Sequence, residues 1–303
     1  MLKNIVATAV VAVIGLFFIS PSAQAAEPLQ LITVTPSSTS LSADPGGSTK
    51  GSMDVINTGT SAFTVALSSS PYHVDATTYD PRFTQLPGTV DPSKWVRFAT
   101  PTSATIEPNK LFTADYVLEV PPGTAPGGYY AVIFAETNTE KSSESGVTSR
   151  SRVGNILYIT VKGVVKTAGT AQATRLPAVI SYTRVELKVT VGNQGGVHFQ
   201  TTVTTTIKDI FGNTAFTHTA KAYVLPQTQR EITTEWSPNR PINIYRIEQG
   251  VLLPNGVRDL PQRWVLIVKP WVIIMLIVMI IVLVIVSILG IQNRGKKRRQ
   301  HDS

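Results

Sequence analysis

The stretch FTADYVLEVPPGTAPGGYYAVIFAE, residues 112–136, decides the fold class. Its two flanks, residues 112–120 and 129–136, are rich in β-branched and aromatic side chains and partly alternate apolar with polar positions, as strands do. Pro121, Pro122 and Gly123 lie between them and are typical of a turn, because proline presets φ and glycine accepts a positive φ. The stretch therefore predicts two strands and a tight corner, the repeating unit of an all-β sandwich.

The same pattern continues on both sides of this stretch. Further strands of a first set are predicted at residues 31–35, 51–57, 62–68 and 156–163. A second set is predicted at residues 184–191, 198–208, 214–221, 229–236, 245–253 and 264–268. Turn residues separate the strands in each set, and a polar Ala/Thr/Gly stretch separates the two sets. The sequence thus predicts two tandem immunoglobulin-like β-sandwiches, over residues 26–165 and 176–268, with a linker over 166–175.

The amino-terminal segment has the three parts of a secretion signal. Lys3 supplies a positive charge, residues 5–19 are apolar, and Ala23-Gln24-Ala25 offers the small-x-small cleavage pattern. We predict a signal peptide over residues 1–25, cleaved between Ala25 and Ala26. An uncleaved signal-anchor is the alternative, but Ser20, Pro21 and Ser22 interrupt the apolar run before it reaches the ~20 residues that a membrane span needs.

The carboxyl-terminal segment predicts a transmembrane helix from Trp271 to Ile291. A helix of this length covers about 31 Å, which matches the hydrocarbon core of a bilayer. The tail over residues 292–303 is basic and contains Arg294, Lys296, Lys297, Arg298 and Arg299. The positive-inside rule then places the tail in the cytoplasm. We predict a single-pass protein of the cytoplasmic membrane whose β-sandwiches lie outside the cell.

Composition excludes several classes of function. The chain has no cysteine, so it forms no disulfide and has no thiolate nucleophile. The formal net charge is +8, but without Lys3, the tail and its one acid the excess is only about three positive charges. The basic balance is mostly a property of the anchor, so we predict no nucleic-acid partner.

Catalytic motifs are absent as well. Of the four histidines, His301 lies in the predicted cytoplasmic tail, and His73, His198 and His218 form no HExxH or paired His/carboxylate spacing. An enzyme needs a convergent set of acid, base, nucleophile or metal ligands. We therefore predict a protein that is not an enzyme and that holds no metal or cofactor.

One segment departs from the strand pattern. Residues 70–101 form a connection that is long for a sandwich and rich in aromatic and charged side chains, which is typical of a binding loop. The candidate binding residues in it are Tyr72, His73, Tyr79, Arg82, Phe83, Trp95 and Arg97. The alternative is that Tyr79, Phe83 and Trp95 fold back and cover one end of the core.

The order of elements resembles that of the WxL-interacting proteins of Gram-positive bacteria. The stretches that carry the resemblance are Val55-Ile56-Asn57-Thr58-Gly59, Ile106-Glu107-Pro108-Asn109, Val120-Pro121-Pro122-Gly123, Pro126-Gly127-Gly128-Tyr129-Tyr130-Ala131-Val132-Ile133, Val191-Gly192-Asn193-Gln194-Gly195-Gly196-Val197-His198 and Asp209-Ile210-Phe211-Gly212-Asn213. The resemblance covers most of residues 29–268. It implies a first immunoglobulin-like domain that binds peptidoglycan, a second that binds a host or a partner, and a transmembrane anchor.

These observations predict a non-catalytic, membrane-anchored binding or scaffold protein whose first sandwich engages cell-wall polysaccharide or a surface protein. Two alternatives stay open. In the first, the chain is a membrane-held assembly factor or chaperone that binds exported clients by adding a strand to a sheet edge. In the second, it is an accessory subunit of a larger membrane complex, which its helix would join.

Overall fold

The computed structural model describes residues 31–76, 78–137 and 150–299. The predicted signal peptide, its cleavage site at Ala25 and Ala26, and residues 300–303 lie outside them. Within the described residues the chain forms twenty β-strands, a short 3-10 helix and one α-helix. The predicted all-β class, with two immunoglobulin-like sandwiches followed by a helix, is confirmed.

The first sandwich packs a four-stranded sheet on a five-stranded sheet. The four-stranded sheet runs in the order β1 (Ile32–Thr35), β3 (Ser48–Asn57), β9 (Leu111–Glu119) and β7 (Val96–Phe98). The five-stranded sheet runs in the order β2 (Ser38–Ala43), β11 (Arg152–Val161), β10 (Gly127–Thr137), β4 (Phe63–Pro71) and β8 (Ser103–Ile106). A small pair, β5 (His73–Val74) with β6 (Pro81–Arg82), and a 3-10 helix over Pro92–Trp95 belong to the long connection.

Alternation in the sequence builds the core of the first sandwich. Every second side chain of β9, namely Ala114, Tyr116 and Leu118, is buried, and the residues between them face outward. Gly51 on β3 lies directly opposite Tyr116, and a Cβ at Gly51 would collide with the Tyr116 ring. Glycine is therefore needed at this position so that the aromatic ring can lie across the neighbouring strand.

The second sandwich packs a three-stranded sheet on a larger one. The three-stranded sheet runs in the order β12 (Gly169–Ala173), β14 (Val185–Asn193) and β17 (Gln229–Trp236). The larger sheet runs in the order β13 (Val179–Ile180), β20 (Arg263–Val268), β18 (Ile242–Leu253), β15 (Phe199–Asp209) and β16 (Thr214–Val224), with β19 (Gly256–Asp259) paired to β18.

The predicted linker over residues 166–175 differs from the structure. β12 lies inside this range and pairs with β14, so most of the stretch is part of the second sandwich. Its small side chains hid the strand: Ala171 and Ala173 are buried in the core although they carry little apolar surface. The connection between the sandwiches is therefore shorter than predicted.

The same turn occurs once in each sandwich. Asn57 donates its amide hydrogens to the carbonyl oxygens of Ser61 and Ile106, and its own oxygen accepts the N–H of Gly59. In the second sandwich the buried Asn193 makes the matching bonds. It donates to the carbonyl oxygens of Val197 and Val224, and its side-chain oxygen accepts the N–H of Gly195. Each asparagine satisfies backbone groups that would otherwise be buried without partners, so it fixes where one strand ends and the next begins.

The helix α1 spans Pro270–Arg299, and a single residue, Lys269, separates it from β20. Its segment Pro270–Ile288 is long and apolar enough to cross a membrane, and only 6% of that window is buried within the protein. The predicted span from Trp271 to Ile291 thus falls on one continuous helix, which extends through the basic residues to Arg299.

Candidate functional site

The structure distributes the predicted loop residues over several environments. Trp95 is only 5% exposed and packs in the core of the first sandwich, with its ring 4.9 Å from that of Tyr129. Phe83 is 38% exposed and lies edge-on to Phe134 at 5.0 Å. Tyr72 is buried, and desolvation by burial raises the pKa of its hydroxyl to about 12. Trp95 and Phe83 therefore cover the first sandwich, whereas Tyr72 packs with Tyr158 and Leu225 in the cluster between the two sandwiches.

The polar and charged residues of the loop lie in two separate places. His73 pairs with Arg82 across the β5–β6 ladder, where Arg82 is exposed. Arg97 lies on β7 and forms an ion pair with Glu119 on the neighbouring strand. A shallow cavity of about 270 Å³ lies beside His73, but the loop residues do not converge on one polar site. The binding role of this loop stays a prediction.

Tyr79, the remaining loop residue, joins the two sandwiches. Its hydroxyl donates to the carbonyl of Tyr223 at 3.0 Å and accepts the N–H of Leu225 at 3.1 Å. The guanidinium of Arg230 lies 5.0 Å from the centre of the Tyr79 ring, within the range of a cation–π contact. A residue that the sequence places in a binding loop therefore holds the end of β16.

Aromatic rings complete the contact between the sandwiches. Tyr158 of the first sandwich stacks on Tyr223 of the second at 4.1 Å with an interplanar angle of 22°. The Tyr130 hydroxyl accepts the backbone N–H of His198 at 3.1 Å and lies 3.3 Å from the imidazole Nδ1. Burial lowers the pKa of His198 to about 4 and raises that of Tyr130. The neutral forms of both side chains are favoured. The rings and hydrogen bonds pack the two sandwiches against each other.

This contact leaves one long sheet edge free. β16 has 11 residues and pairs with β15 along one side. No backbone partner is present on its other side from Thr214 to Ala222 in the part of the chain that the structure describes. The strand carries one charged residue, Lys221, and no proline. Edge strands of soluble proteins are usually shortened, charged or covered, so this edge is unprotected.

The other edges of the two sandwiches are shorter or more charged. β12 and β13 have only 5 and 2 residues. β17 has 8 residues, of which Arg230, Glu231 and Glu235 are charged. The edges of the first sandwich within the described residues are β1, β7, β8 and β2, with 4, 3, 4 and 6 residues. A strand added to any of these would find fewer backbone partners or a row of charges. β16 is therefore the candidate site for a partner strand.

The sequence predicts a strand at residues 214–221 but gives no signal that it lies at an edge. Its threonine and alanine side chains suit either an edge or a central strand. Only the pairing partners, which come from distant parts of the chain, decide the position. For the same reason the sequence did not single out β16 as a site.

The described residues contain no set of side chains that is arranged as metal ligands. No group of three or more histidine, cysteine, aspartate or glutamate side chains there is placed to hold a metal ion. His198 is enclosed by tyrosines, and His218 lies on β16 opposite Thr205. The site residues offer backbone hydrogen bonds and packing surface.

Comparisons with known proteins find similar structures but no related sequence. No protein-family model matches the chain, and no curated protein matches it. The chaperone–tip adhesion subunit pre-assembly complex CsuC–CsuE from the archaic chaperone-usher Csu pili of Acinetobacter baumannii is similar over 79% of this chain and 99% of the matched chain, with 10% identity and a TM-score of 0.38. The chaperone DraB of E. coli is similar over 78% of this chain and 97% of its own, with 14% identity and a TM-score of 0.37.

A third similar structure is the SafA pilin of Salmonella enterica in complex with the SafB chaperone, which covers 79% of this chain and 97% of the matched chain, with 12% identity and a TM-score of 0.38. At these identities and TM-scores the likeness carries no inference about what this chain binds. The resemblance to the WxL-interacting proteins also stays a prediction.

Proposed function

We propose that this chain is a non-catalytic, membrane-anchored protein whose β-sandwiches lie outside the cytoplasmic membrane and bind an extended segment of a partner protein along β16. The observation that carries the proposal is the unprotected edge of β16 from Thr214 to Ala222, held in place at one end by Tyr79. In this proposal the α1 helix is the anchor, and the tail lies in the cytoplasm, as the positive-inside rule favours for its basic residues.

The edge presents a regular set of backbone groups. The Tyr223 carbonyl points away from β15, because it accepts hydrogen bonds from Tyr79 and Arg230. In an antiparallel ladder the same orientation recurs at every second residue. Lys221, Thr219 and Thr217 therefore each direct an N–H and a C=O toward the open side. A partner strand can pair with all six of these groups.

Hydrogen bonds alone are too weak for a stable complex. Six bonds at about 1 kcal/mol each contribute about 6 kcal/mol. Association itself costs about 4–15 kcal/mol, and a micromolar affinity needs about 8 kcal/mol of net binding free energy. The partner must therefore also bury apolar side chains, each worth about 1.5–3 kcal/mol when fully buried.

The side chains of β16 define what the partner must present. On the inner face, Phe216 and Ala220 pack against the hydrophobic core, and a partner strand would extend that core sideways. On the outer face lie Thr217, Thr219 and Lys221. The fitting partner is an extended segment with apolar residues at alternate positions and polar or acidic residues between them.

Photo-crosslinking in the native membrane tests this proposal. A benzophenone amino acid at Thr217 of the full-length chain should form adducts with one protein partner. Thr219→Pro removes one outward N–H without breaking a bond to β15, because proline is tolerated where an edge N–H faces solvent. This change should abolish the adducts.

Thr219→Val is the matched control, because it keeps the backbone N–H and the strand propensity. It should leave the adducts unchanged. The proposal fails if Thr219→Pro and Thr219→Val give the same adducts. It also fails if a crosslinker at Val257 captures the same partner as efficiently, because Val257 lies at the far hairpin, formed by β18 and β19 at the end of the sandwich away from α1.

A further inference from the structure

One end of the second sandwich carries apolar side chains on its strand connections. β13, β15 and β17 all run toward the end where α1 begins, so their connections to the next strands meet there. Those connections, with the first residue of β18, expose Tyr182, Ile210, Phe211 and Ile242, with exposed fractions of 69%, 49%, 76% and 50%. Exposed apolar side chains that gather at one end of a domain indicate a surface that contacts something other than water.

The turn that holds Phe211 is rigid. The Asp209 carboxylate accepts the N–H groups of Phe211 and Asn213, each at 2.9 Å, and the amide of Asn213 at 3.2 Å. Gly212 follows with a φ of +84°, which glycine adopts without strain. The turn therefore presents Ile210 and Phe211 outward in a fixed conformation, so their exposure is a property of the fold.

The covalent connection keeps this end beside α1. The backbone N–H of Lys269 donates to the carbonyl of Pro241, and its ammonium donates to the carbonyl of Asn239. Val272, in the first turn of α1, is 3% exposed and packs against the sandwich. The domain has little freedom to swing away from the first turn of the helix.

Distances along the strands bring Phe211 near the polar layer of a bilayer. Asp209 pairs with Tyr245, and Tyr245 pairs with Val265, so the three lie in one cross-strand row. From that row the chain reaches Phe211 two residues later, just past the end of β15, and Pro270 five residues later, just past the end of β20. The difference of three residues is about 10 Å in extended chain. The headgroup layer covers about 5–7 Å of this distance. The side chain of Phe211 spans most of the remainder.

The charges at this end suit a lipid surface. Arg240 is exposed beside the turn and Lys269 is half-buried at the helix start. Glu235 is paired with Arg184 at 3.0 Å, and the Asp209 carboxylate is occupied by the turn. Basic residues next to exposed aromatic and aliphatic side chains are the composition of surfaces that lie in the headgroup layer.

We infer that Tyr182, Ile210, Phe211 and Ile242 form a membrane-docking surface, which seats the second sandwich in the outer headgroup layer of a bilayer with anionic lipids. This inference rests on the proposed membrane span of α1. The docked domain then has one orientation, and the β16 edge projects from the membrane at a fixed height.

Site-specific fluorescence tests the inference on the full chain in lipid nanodiscs that contain phosphatidylglycerol. The chain has no cysteine, so single-cysteine variants can carry a polarity-sensitive NBD label without background. Labels at Phe211→Cys and Tyr182→Cys should be quenched by nitroxide on lipid headgroups. A label at Val257→Cys should stay accessible to aqueous iodide instead. Val257 is also an exposed apolar residue, at 71%, but it lies at the far hairpin.

A second arm separates docking from the span. A label at Leu276→Cys in α1 must be quenched by nitroxide on the acyl chains if the helix crosses the bilayer. If that label is quenched while position 211 behaves like position 257, the docking inference is overturned and the span stands. If position 276 is not quenched, the span fails as well.

A third arm tests whether Phe211 holds the rest of the surface. Phe211→Ser should reduce the headgroup quenching of a label at Tyr182→Cys, and Val257→Ser should not. Unchanged quenching at position 182 would contradict a shared surface. Protection of position 211 from both lipid nitroxide and iodide would show that a second copy of the chain covers it, which would also overturn the inference.

Discussion

Acidification should loosen the contact between the two sandwiches through His198. Burial lowers the pKa of this imidazole to about 4, whereas in an unfolded chain it lies near 6.5. The unfolded state therefore takes up the proton first as the pH falls. The stabilisation by neutral His198 is complete above pH ~6.5 and is lost progressively between pH ~6.5 and ~4.

The magnitude follows from the two pKa values. At pH 7.5 the effect is negligible, at pH 5 the folded state loses about 2 kcal/mol, and below pH ~4 the loss reaches about 3 kcal/mol. Desolvation explains why the folded site disfavours the charge, because the rings of Tyr130, Tyr158 and Tyr223 surround the imidazole and keep water from it.

Thermal unfolding of the full chain in nanodiscs, followed by tryptophan fluorescence, measures this effect. If the two sandwiches unfold together, as one unit of roughly 240 residues, a loss of about 2 kcal/mol corresponds to a fall of about 4–8 °C in Tm. His198→Phe keeps the aromatic packing but cannot titrate, so its Tm should fall less than that of the wild type between pH 7.5 and 5. His218→Phe, at an exposed position on β16, is the matched control and should behave like the wild type. Equal falls in Tm for the wild type and His198→Phe would refute this reasoning.

Four further substitutions have defined outcomes. Tyr79→Phe removes both hydrogen bonds to the end of β16 and should cost about 1–3 kcal/mol; faster hydrogen exchange at the Leu225 amide, with unchanged exchange at the core of β10, checks it. Asn57→Ala and Asn193→Ala each remove three bonds of a buried turn and should each cost about 3 kcal/mol in chemical unfolding; a loss near zero would mean that the turns hold without them. Gly51→Ala collides with the Tyr116 ring and should lower stability by about 1–3 kcal/mol, whereas Gly123→Ala, with open space around it, suffers only the strain of its positive φ.

The sequence predicted the all-β fold because alternation and turn chemistry are local properties. β9 and β10 follow directly from the stretch at residues 112–136, and the asparagine turns at Asn57 and Asn193 carry their own signal. β12 was missed because alanine and threonine give a weak strand pattern. A strand of small residues is stabilised by its neighbours, which the local sequence does not reveal.

The candidate site was less predictable. Tyr79 and Tyr223 are 144 residues apart in the chain, so their hydrogen bond leaves no local pattern. The sequence shows that the loop is rich in aromatic residues, but it does not decide whether Trp95 faces solvent or the core. The open edge of β16 likewise depends on the order of the strands in the sheet, which only the structure shows.

The single residue between β20 and α1 has a mechanical consequence. With α1 in the membrane as proposed, a force applied to the first sandwich passes through the Tyr79 and Tyr223 contact into the second, and from there through Lys269 into the bilayer. The connection to the helix is too short to extend under force. A partner that pulls on the first sandwich would therefore transmit the force to the helix directly, whereas a flexible linker would first have to stretch.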